Sequence, residues 1–471
     1  MRPFFEQTVR RSLPAQGVAE FQQAFGARFV TTDAVREHHG TDESPYPVCP
    51  PDAVVFPRDA GEVAQAVRLC NKYKVPIVPF GIGSSLEGHV LPIEGGVTLS
   101  LSEMNRVVSV QAEDFTVTVE PGVTRTQVNE AIRDTGLFFP IDPGADATIG
   151  GMAATRASGT NAVRYGTMRE NVVSLKVVTA DGDIIRTSSR ARKSSSGYDL
   201  TRLFVGSEGT LGIIVEITLR VYPRPEAITA AVCNFPSLAD AVQSVVEIMQ
   251  SGTPVARVEF MDEHAVNAVN RYSKLDLEET PLLLFEFHGS AGGVQEQIDV
   301  VREIAGDHGA TAFAWAKQPE DRTRLWKARH NSHFAGLQLR PGSRSIATDV
   351  CVPISRLADC VTQTADDLKS ATFPYTIVGH VGDGNFHVQM LIDPDSGSEW
   401  EEAESINRRL VLRAIDMDGT CSGEHGVGIH KMEFLKAEHG EPALGLMRRI
   451  KHAYDPNNIF NPGKVVEWGA S

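Results

Sequence analysis

Two histidines lie close together in a short, glycine-containing stretch that has the residue types for metal chemistry. The stretch is Gly379-His-Val-Gly-Asp-Gly-Asn-Phe-His-Val388, with His380 and His387 on either side of an Asp383-Gly384 pair. An Asp-Gly pair between apolar residues predicts a β-hairpin with a two-residue turn. In that register His380 pairs with His387 across the hairpin, with Cβ atoms about 5 Å apart, so both imidazoles can bind one metal ion.

A second segment offers a carboxylate and a further histidine. Cys421–Gly428 places Glu424 and His425 among glycines, which let the backbone approach other groups closely. Two histidines and one carboxylate leave coordination positions open, as in catalytic metal sites. Spacing alone also fits two hydrogen-bonded core histidines and an exposed Glu-His pair in a loop, so both interpretations stay open at this point.

The composition limits the classes of function. A chain of 471 residues with 42% hydrophobic content has room for two or three domains. Its net charge of −15 argues against a nucleic-acid partner. Apolar stretches are far shorter than the roughly 20 residues that span a bilayer. Six cysteines without a Cys-x-x-Cys pair predict free thiols in a reducing cytoplasm.

The N-terminal residues are predicted to be a lead-in segment, residues 1–46. Arg2, Arg10 and Arg11 are accompanied by Glu6 and by no apolar run, so the sequence predicts neither a secretory signal nor a good mitochondrial presequence. After this segment, a strand at 52–56, a capped helix at 62–73 and a strand at 75–79 predict a β-α-β opening.

Two glycine-rich loops follow predicted strands. The first, Phe80–His89, lacks the dinucleotide fingerprint, since Gly81-x-Gly83 is followed by Leu86 where a third glycine is required. Its glycines nevertheless let successive backbone N–H groups point at one anion. The second loop is Asp142–Gly151. We expect the two loops to clamp a pyrophosphate, and the alternative is a pair of ordinary turns.

The order of these motifs resembles a known family. Pro79–Gly88, Pro121-Gly122, Pro143–Gly151, Gly159–Asn161 and Gly206–Ile214 are similar to motifs of flavoproteins of the vanillyl-alcohol-oxidase type. The resemblance implies an α+β chain with a two-subdomain FAD-binding domain at 47–224. It also implies a substrate-binding cap domain with an antiparallel sheet at 225–471.

The same resemblance implies how FAD is held. Both loops wrap the pyrophosphate, and the strand after Gly209 passes the isoalloxazine. Some members link the flavin to a histidine in the first loop, where this chain has Ser84-Ser85, so FAD is expected to be non-covalent. The residues assigned to FAD are Pro79, Phe80, Gly81, Ile82, Gly83, Ser84, Ser85, Gly88, Pro121, Gly122, Pro143, Gly144, Ala145, Asp146, Thr148, Ile149, Gly150, Gly151, Ala154, Gly159, Thr160, Asn161, Tyr165, Gly166, Glu208, Gly209, Gly212, Ile213, Ile214 and Asn461.

The second half of the chain resembles FAD-dependent D-lactate dehydrogenases that reduce a cytochrome or quinone, with glycolate oxidase subunits and D-2-hydroxyglutarate dehydrogenases as near relatives. The motifs that carry this resemblance are Leu325–Asn331, Thr348–Pro353, His380–His387, Ser422–Gly426 and Asp455–Lys464. It implies that His380, His387 and Glu424 bind a divalent metal, zinc or manganese, and that His425 is the catalytic base. These assignments favour the metal interpretation.

Two further residues are predicted to contact the substrate, Arg329 and Asn385. A guanidinium binds a carboxylate through two hydrogen bonds, although a surface or interdomain salt bridge is the alternative for Arg329. The hydroxyglutarate-specific relatives have a lysine near the position of Ala347, so this chain is expected to oxidise a monocarboxylic D-2-hydroxy acid, D-lactate to pyruvate. Arg340 and Arg344 lie close in sequence and offer a compensating charge.

Several expectations have no motif behind them. The electron acceptor is a quinone, a cytochrome or a partner flavoprotein, and the location is the cytoplasm or the periphery of the inner membrane. A homodimer is the working expectation for the oligomeric state. Two other classes of protein compete. A zinc hydrolase would use the same His/His/Glu set but leave the glycine-rich loops without a role, and a non-enzymatic binding module would need neither feature.

Overall fold

The computed structural model describes residues 8–311, 313–316 and 319–469. Contacts divide the chain into two compact units: Met1–Ser158, Thr167–Pro223 and Glu424–Ser471 form the first, and Gly159–Gly166 and Arg224–Gly423 form the second. The predicted division at 46/47 and 224/225 differs from these units, which have no boundary at 46/47. Residues 159–166 and Arg224 belong to the second unit, and residues 424–471 belong to the first. Residues 1–7 of the predicted lead-in lie outside the described ranges.

The first unit contains a four-stranded sheet of short apolar strands. They are β1 (Phe29–Val30), β2 (Ala53–Val55), β3 (Ile77–Phe80) and β4 (Val97–Ser100), in the order β1-β2-β4-β3. Both β2 and β3 run parallel to β4, as a β-α-β connection requires. The connecting helix Ala60–Tyr73 is capped as predicted, because Asp59 accepts a hydrogen bond from the backbone N–H of Glu62.

A second sheet of the first unit is entirely antiparallel. Its strands are β5 (Val107–Gln111), β6 (Thr116–Val119), β8 (Val172–Val178), β9 (Ile184–Arg186) and β10 (Ile213–Arg220), in the order β5-β6-β10-β8-β9. A short pair joins β7 (Leu137–Phe138) to β11 (Tyr222–Pro223). The segment 424–471 adds to the four-stranded sheet, since Phe460 forms a parallel bridge with Ile77 of β3.

The helices of the first unit are mostly short. They are Ala15–Phe25, Asp33–His38, Ala60–Tyr73, Arg125–Ala131, Ile149–Thr155, Met168–Asn171, Leu200–Phe204 and Leu435–Tyr454, the last kinked at Gly440. Over the described part of the whole chain, none of the helices combines the length and apolar character that a membrane crossing needs.

The second unit is built on one eight-stranded sheet. Its strands are β12 (Ala227–Asn234), β13 (Arg257–Met261), β14 (Leu282–Gly289), β15 (Phe313–Ala316), β16 (Arg344–Ala347), β17 (Val350–Cys351), β18 (Tyr375–His380) and β19 (Asn385–Ile392). The order is β15-β12-β14-β13-β18-β19-β16, with β17 also on β19, and every pairing is antiparallel. Its helices are Ala162–Tyr165, Leu238–Gln250, Glu263–Ser273, Ala291–Asp307, Pro319–His330, Ser332–Leu337, Leu357–Leu368 and Gly397–Asp416.

The hairpin of the two histidines has a longer turn than the sequence predicts. Val381–Asp383 form a 3₁₀ turn between β18 and β19, and Gly384 follows with a φ of 80°. His380 therefore pairs with Asn385, and His387 pairs with Val378. The predicted pairing of His380 with His387 is wrong, because the turn closes from the carbonyl of Val381 to the N–H of Gly384 and so occupies four residues instead of two.

The longer turn keeps both histidines on one face of the sheet. Side chains alternate between faces along a strand, and the observed register makes His380 and His387 diagonal neighbours. Their ring centroids lie 5.4 Å apart. Since Phe260 pairs with Gly379, the next position places Glu259 opposite His380. The polar residues on this face at the centre of the sheet are Arg257, Glu259, Glu286, His288, His380, Asn385 and His387.

Candidate active site

Glu259 lies at the centre of the first polar cluster in the second unit. Its side chain is fully buried. The Nδ1 atom of His380 lies 2.8 Å from Glu259 Oε1, and the Nη2 atom of Arg329 lies 2.7 Å from Oε2. A single carboxylate therefore holds both a predicted metal ligand and the predicted substrate arginine. The alternative interpretation of Arg329 as a surface or interdomain salt bridge is wrong, because the arginine is buried and its partner lies in the same unit.

Asp349 organises the neighbouring part of this face. Its buried carboxylate accepts hydrogen bonds from Asn385 Nδ2 at 2.8 Å and from the Ser422 hydroxyl at 3.0 Å. The second N–H of Asn385 donates to the carbonyl of Val350 at 2.8 Å. Both donors of the Asn385 amide are thus used within the second unit, which leaves its oxygen as the acceptor.

The two histidines of the hairpin fit a metal ion. Nδ1 of His380 faces the Glu259 carboxylate, and Nδ1 of His387 lies 3.1 Å from the carbonyl oxygen of Thr348. A neutral imidazole that donates through Nδ1 has its lone pair on Nε2, and metal-binding histidines use their other nitrogen in this way. Glu424 follows directly on Gly423 and starts the last segment of the first unit, and its role as the third ligand stays a prediction.

In the first unit, the two glycine-rich loops come together. An ideal Cβ on Gly81 would lie 2.5 Å from Thr148 Oγ1, and one on Gly150 would lie 2.6 Å from Pro121 Cβ. Only glycine permits these approaches. Thr148 also caps the helix Ile149–Thr155 by accepting from the N–H of Gly151. The predicted loops and the Pro121 turn thus form one cradle of closely packed backbone, which fits a pyrophosphate.

Several residues assigned to FAD have protein partners of their own. Ser85 donates to Asp42 at 2.9 Å, and Asp146 accepts from the N–H and hydroxyl of Thr126. Asn461 Nδ2 donates to the carbonyls of His89 and Glu208, at 2.9 and 2.7 Å. These contacts shape the cradle, and the contact of each residue with FAD stays a prediction.

Five of the residues predicted to contact FAD lie in the segment 159–166, which belongs to the second unit: Gly159, Thr160, Asn161, Tyr165 and Gly166. Asn161 Oδ1 accepts from Arg257 Nε at 3.0 Å, and the Tyr165 hydroxyl lies 2.9 Å from His288 Nδ1. Nε2 of His288 in turn lies 2.7 Å from Glu286. The structure therefore joins this segment to a second Glu/His/Arg cluster, whose signal in sequence is only the alternation of polar residues in β13 and β14.

Glu208 fixes the backbone of the segment that carries the predicted base. Its carboxylate accepts from the N–H groups of Val427 and Gly428, at 2.7 and 2.8 Å, and lies 3.2 Å from His89 Nε2. Burial opposes ionisation of Glu208, but His89 and the two backbone donors outweigh it and lower its pKa. The strand predicted after Gly209 begins at Ile213, as β10, and its passage beside the isoalloxazine stays a prediction.

A buried acid that the sequence did not single out lies beside His425. Glu87, in the first glycine-rich loop, is fully buried, and its Oε1 lies 3.5 Å from His425 Nδ1. The same carboxylate contacts His430 Nδ1 and Lys431 Nζ, each at 3.0 Å. Burial would raise the pKa of Glu87, but the charge of Lys431 and the adjacent rings of His425 and His430 hold it well below its usual range.

The missed residues share one weak signal. Glu87, Glu259 and Asp349 are each a single acid between uncharged residues, in Leu86-Glu-Gly88, Val258-Glu-Phe260 and Thr348-Asp-Val350. An acid in a predicted buried strand or tight loop requires a cationic or hydrogen-bonding partner. The sequence gives no indication of which partner that is.

Models of two protein families match the chain. One is described as the FAD binding domain and covers residues 51–188, and the other is described as the C-terminal domain of FAD linked oxidases and covers residues 224–465. Together they confirm the predicted resemblance. They also support FAD as the cofactor that the cradle of the first unit would hold.

Proteins of similar sequence match nearly the whole chain. A probable mitochondrial D-lactate dehydrogenase of Danio rerio is 52% identical, covering 96% of this chain and 91% of that protein. A mitochondrial cytochrome-type D-lactate dehydrogenase of Arabidopsis thaliana is 46% identical, covering 97% and 81%. A glycolate oxidase subunit of Bacillus subtilis is 34% identical, covering 93% of each. The first two names place those relatives in mitochondria, and a cytoplasmic location for this chain stays a prediction.

Solved structures confirm the predicted fold class. A 4-ethylphenol oxidase from Gulosibacter chungangensis gives a TM-score of 0.80 at 18% identity and covers 98% of this chain and 99% of that one. An alkyldihydroxyacetonephosphate synthase gives 0.75 at 19% identity, covering 97% and 88%. At such low identity the likeness concerns the fold alone.

Proposed function

The chain belongs to the family of FAD-linked oxidases, and from this premise we propose that it oxidises a D-2-hydroxy acid, D-lactate to pyruvate. The observation that carries the proposal is the joint placement of His380 and Arg329 on one buried carboxylate. Such a placement suits a substrate that presents a hydroxyl and a carboxylate together. FAD would supply the two-electron acceptor that no side chain offers.

The proposed metal ligands are His380, His387 and Glu424. The two Nδ1 contacts described above support the histidines, because they fix each ring and its tautomer. An ideal Cβ on Gly423 would lie 2.1 Å from Asn385 Nδ2, and Glu424 is the next residue along the chain. A divalent ion, zinc or manganese, would supply Lewis acidity toward the substrate hydroxyl.

His425 is proposed to take the hydroxyl proton on Nε2. Support comes from Glu87, which lies behind Nδ1 at 3.5 Å and, as an ionised carboxylate, favours the tautomer with the proton on Nδ1. The clamp of Glu208 on Val427 and Gly428 fixes the backbone two and three residues further along. Such support limits how far the imidazole moves, which proton transfer over hydrogen-bond distance requires.

Arg329 and Asn385 are proposed to orient the substrate. Arg329 donates to Ser332 through Nη1 at 3.2 Å, and its buried Nε atom has no hydrogen-bond partner among the described residues. We assign the Nε–H to the substrate carboxylate. The free acceptor of Asn385, its buried Oδ1, is assigned to the substrate hydroxyl.

The number of carboxylates on the proposed substrate is inferred from the charged residues in and near β16. Arg340 donates to Glu399 at 2.7 Å and to the carbonyl of Leu391, so its guanidinium is committed and does not replace the lysine expected for a second carboxylate. Ala347 ends β16 without a charge. Arg344 is exposed at the start of β16. We therefore propose a monocarboxylic acid, D-lactate, with glycolate and the dicarboxylic D-2-hydroxyglutarate as the alternatives. The electron acceptor is proposed to be a cytochrome, a quinone or a partner flavoprotein.

Anaerobic mixing of the purified protein with single 2-hydroxy acids tests the proposal. We expect bleaching of an oxidised-flavin absorption band by D-lactate, much slower bleaching by L-lactate, glycolate and D-2-hydroxyglutarate, and release of the flavin by acid precipitation. If D-2-hydroxyglutarate reduces the flavin faster than D-lactate does, D-2-hydroxyglutarate becomes the proposed substrate. A colourless protein that does not take up FAD would overturn the proposed function in favour of a zinc hydrolase.

A further inference from the structure

Glu259 has two different partners on its two oxygens. Oε1 lies 2.8 Å from His380 Nδ1, and Oε2 lies 2.7 Å from Arg329 Nη2. The carboxylate is fully buried, and Arg329 is only 6% exposed. In a low-dielectric interior such contacts are strong, and a charge that loses its partner is costly.

The geometry of Glu259 is fixed by the sheet. It lies in β13, where it faces His380 of the next strand in the register set by Phe260 and Gly379. Arg329 comes from the helix Pro319–His330, near its C-terminal end. Because the carboxylate is planar and held by a strand, a shift of one partner changes the hydrogen bond that remains for the other.

We propose that Glu259 is a positioning residue that couples metal binding at His380 to substrate binding at Arg329. This inference rests on the proposed function. Glu259 keeps the proton of His380 on Nδ1, which presents Nε2 to the metal, and it holds the guanidinium of Arg329 in place for the substrate carboxylate. Loss of the Glu259 charge weakens both binding events, although Glu259 touches neither ligand.

The second unit also contains a matched control. Glu286 is buried, lies 3.6 Å from Arg257 and 2.7 Å from His288, and occupies the neighbouring strand β14. Glu286→Gln removes the same buried charge beside the same residue types. Any effect of lost charge on general stability therefore appears in both variants, whereas an effect on metal affinity belongs to Glu259.

The test uses the metal-depleted flavoprotein and Mn²⁺ as the probe. Calorimetric titration should show one Mn²⁺ site in the wild type, none in His380→Ala, and an affinity about 10–100-fold lower in Glu259→Gln, the usual effect of removing the hydrogen-bond partner of a metal ligand. Glu286→Gln should bind Mn²⁺ as the wild type does. At saturating Mn²⁺, Glu259→Gln should raise the KM for D-lactate about tenfold, with a smaller change in kcat.

Arg329→Met separates the two effects. In that background, Glu259→Gln should still weaken Mn²⁺ binding but should no longer raise KM. Should Glu259→Gln not fold, Glu259→Asp takes its place, because it keeps the charge but withdraws the carboxylate by about one bond length, ~1.5 Å, and the same losses are expected.

The outcomes distinguish this inference from the proposed function. Unchanged Mn²⁺ affinity in both Glu259 variants, with a normal wild-type site, overturns the coupling alone. Equal loss in Glu286→Gln also overturns it, since the effect is then one of stability. A wild type without an Mn²⁺ site overturns the proposed metal centre, and the coupling with it.

Discussion

The two Glu/His/Arg clusters of the second unit have the same residue types, but their histidines lie beside different side chains. Both nitrogens of His288 are bound within the protein, to Glu286 and to the Tyr165 hydroxyl. His380 places Nδ1 on Glu259 and packs its ring beside that of His387. In the Glu286 cluster, Arg257 lies over the ring of Trp326, with 4.6 Å between its guanidinium carbon and the ring centroid. A buried carboxylate beside a histidine is thus common to both clusters, whereas a second imidazole beside the first is found at the cluster that is proposed to bind metal.

Replacing the histidine in each cluster gives the largest contrast. His380→Ala should remove about one equivalent of metal and abolish turnover, because two remaining ligands hold a divalent ion poorly. His288→Gln should keep the metal. Elemental analysis and stopped-flow flavin reduction measure both variants, and treatment of the wild type with a chelator should reproduce His380→Ala while the flavin spectrum persists. Full activity in a metal-free preparation, or equal metal loss in His288→Gln, would contradict the proposal that the His380 cluster binds a catalytic metal and the His288 cluster does not.

A third cluster, in which His425 and His430 lie beside Glu87, extends the comparison to the first unit. His425→Ala should slow flavin reduction by D-lactate about 10²–10⁴-fold, the usual contribution of a general base. His430→Gln, on the other oxygen of Glu87, should stay within a few-fold of wild type. Rapid-mixing measurements at saturating D-lactate decide the matter. If His425→Ala is nearly as fast as wild type, or if His430→Gln is slowed as much, His425 is not the base.

The contact between His89 and Glu208 predicts that the stability of the folded protein depends on pH. Burial would lower the pKa of His89, but the charges of Glu208, Glu87 and Asp42 raise it above 6.5. A raised pKa in the folded state gives stability that is complete below the unfolded value and is lost as pH rises through the folded value. His89→Gln should therefore lower Tm more at about pH 6 than at about pH 9. Thermal unfolding at both values measures this, and an equal or reversed difference would mean that His89 is neutral.

The smallest expected effect concerns the support of Arg329. Ser332→Ala removes one hydrogen bond to its guanidinium, which is worth about 0.5–1.5 kcal/mol. The KM for D-lactate should rise a few-fold, and Mn²⁺ affinity should not change, because Ser332 does not touch the His380 side of Glu259. Steady-state kinetics with a metal titration would show this. A drop in Mn²⁺ affinity as large as that of Glu259→Gln would contradict it.

The fold was predictable where local signals agree with one another. Asp59 before the helix Ala60–Tyr73, the apolar run of β14 and the helix Leu238–Gln250 all gave elements close to those observed. The hairpin register was not predictable, since an Asp-Gly pair also suits a turn in which only the glycine has positive φ. The length of the turn therefore determines that His380 pairs with Asn385 and not with His387.

The residues proposed to bind metal and substrate were predictable from the sequence, but the buried acid that contacts them was not. His380, His387 and Arg329 stand out by residue type, whereas Glu259 lies 121 positions before His380 in the sequence. Such a contact depends on the strand order β14-β13-β18, which follows no local rule. The same holds for Glu87 and His430, which are 343 positions apart.

The placement of residues 424–471 in the first unit has a consequence for how the protein is made. During synthesis these residues leave the ribosome only after 224–423, so β3 lacks its bridge to Phe460, and Glu208 lacks the backbone donors at Val427 and Gly428. The second unit, whose chain is continuous apart from residues 159–166, has all of its strands beforehand. The earlier-synthesised unit thus reaches its final form last, and its incomplete state is the one that chaperones and proteases meet.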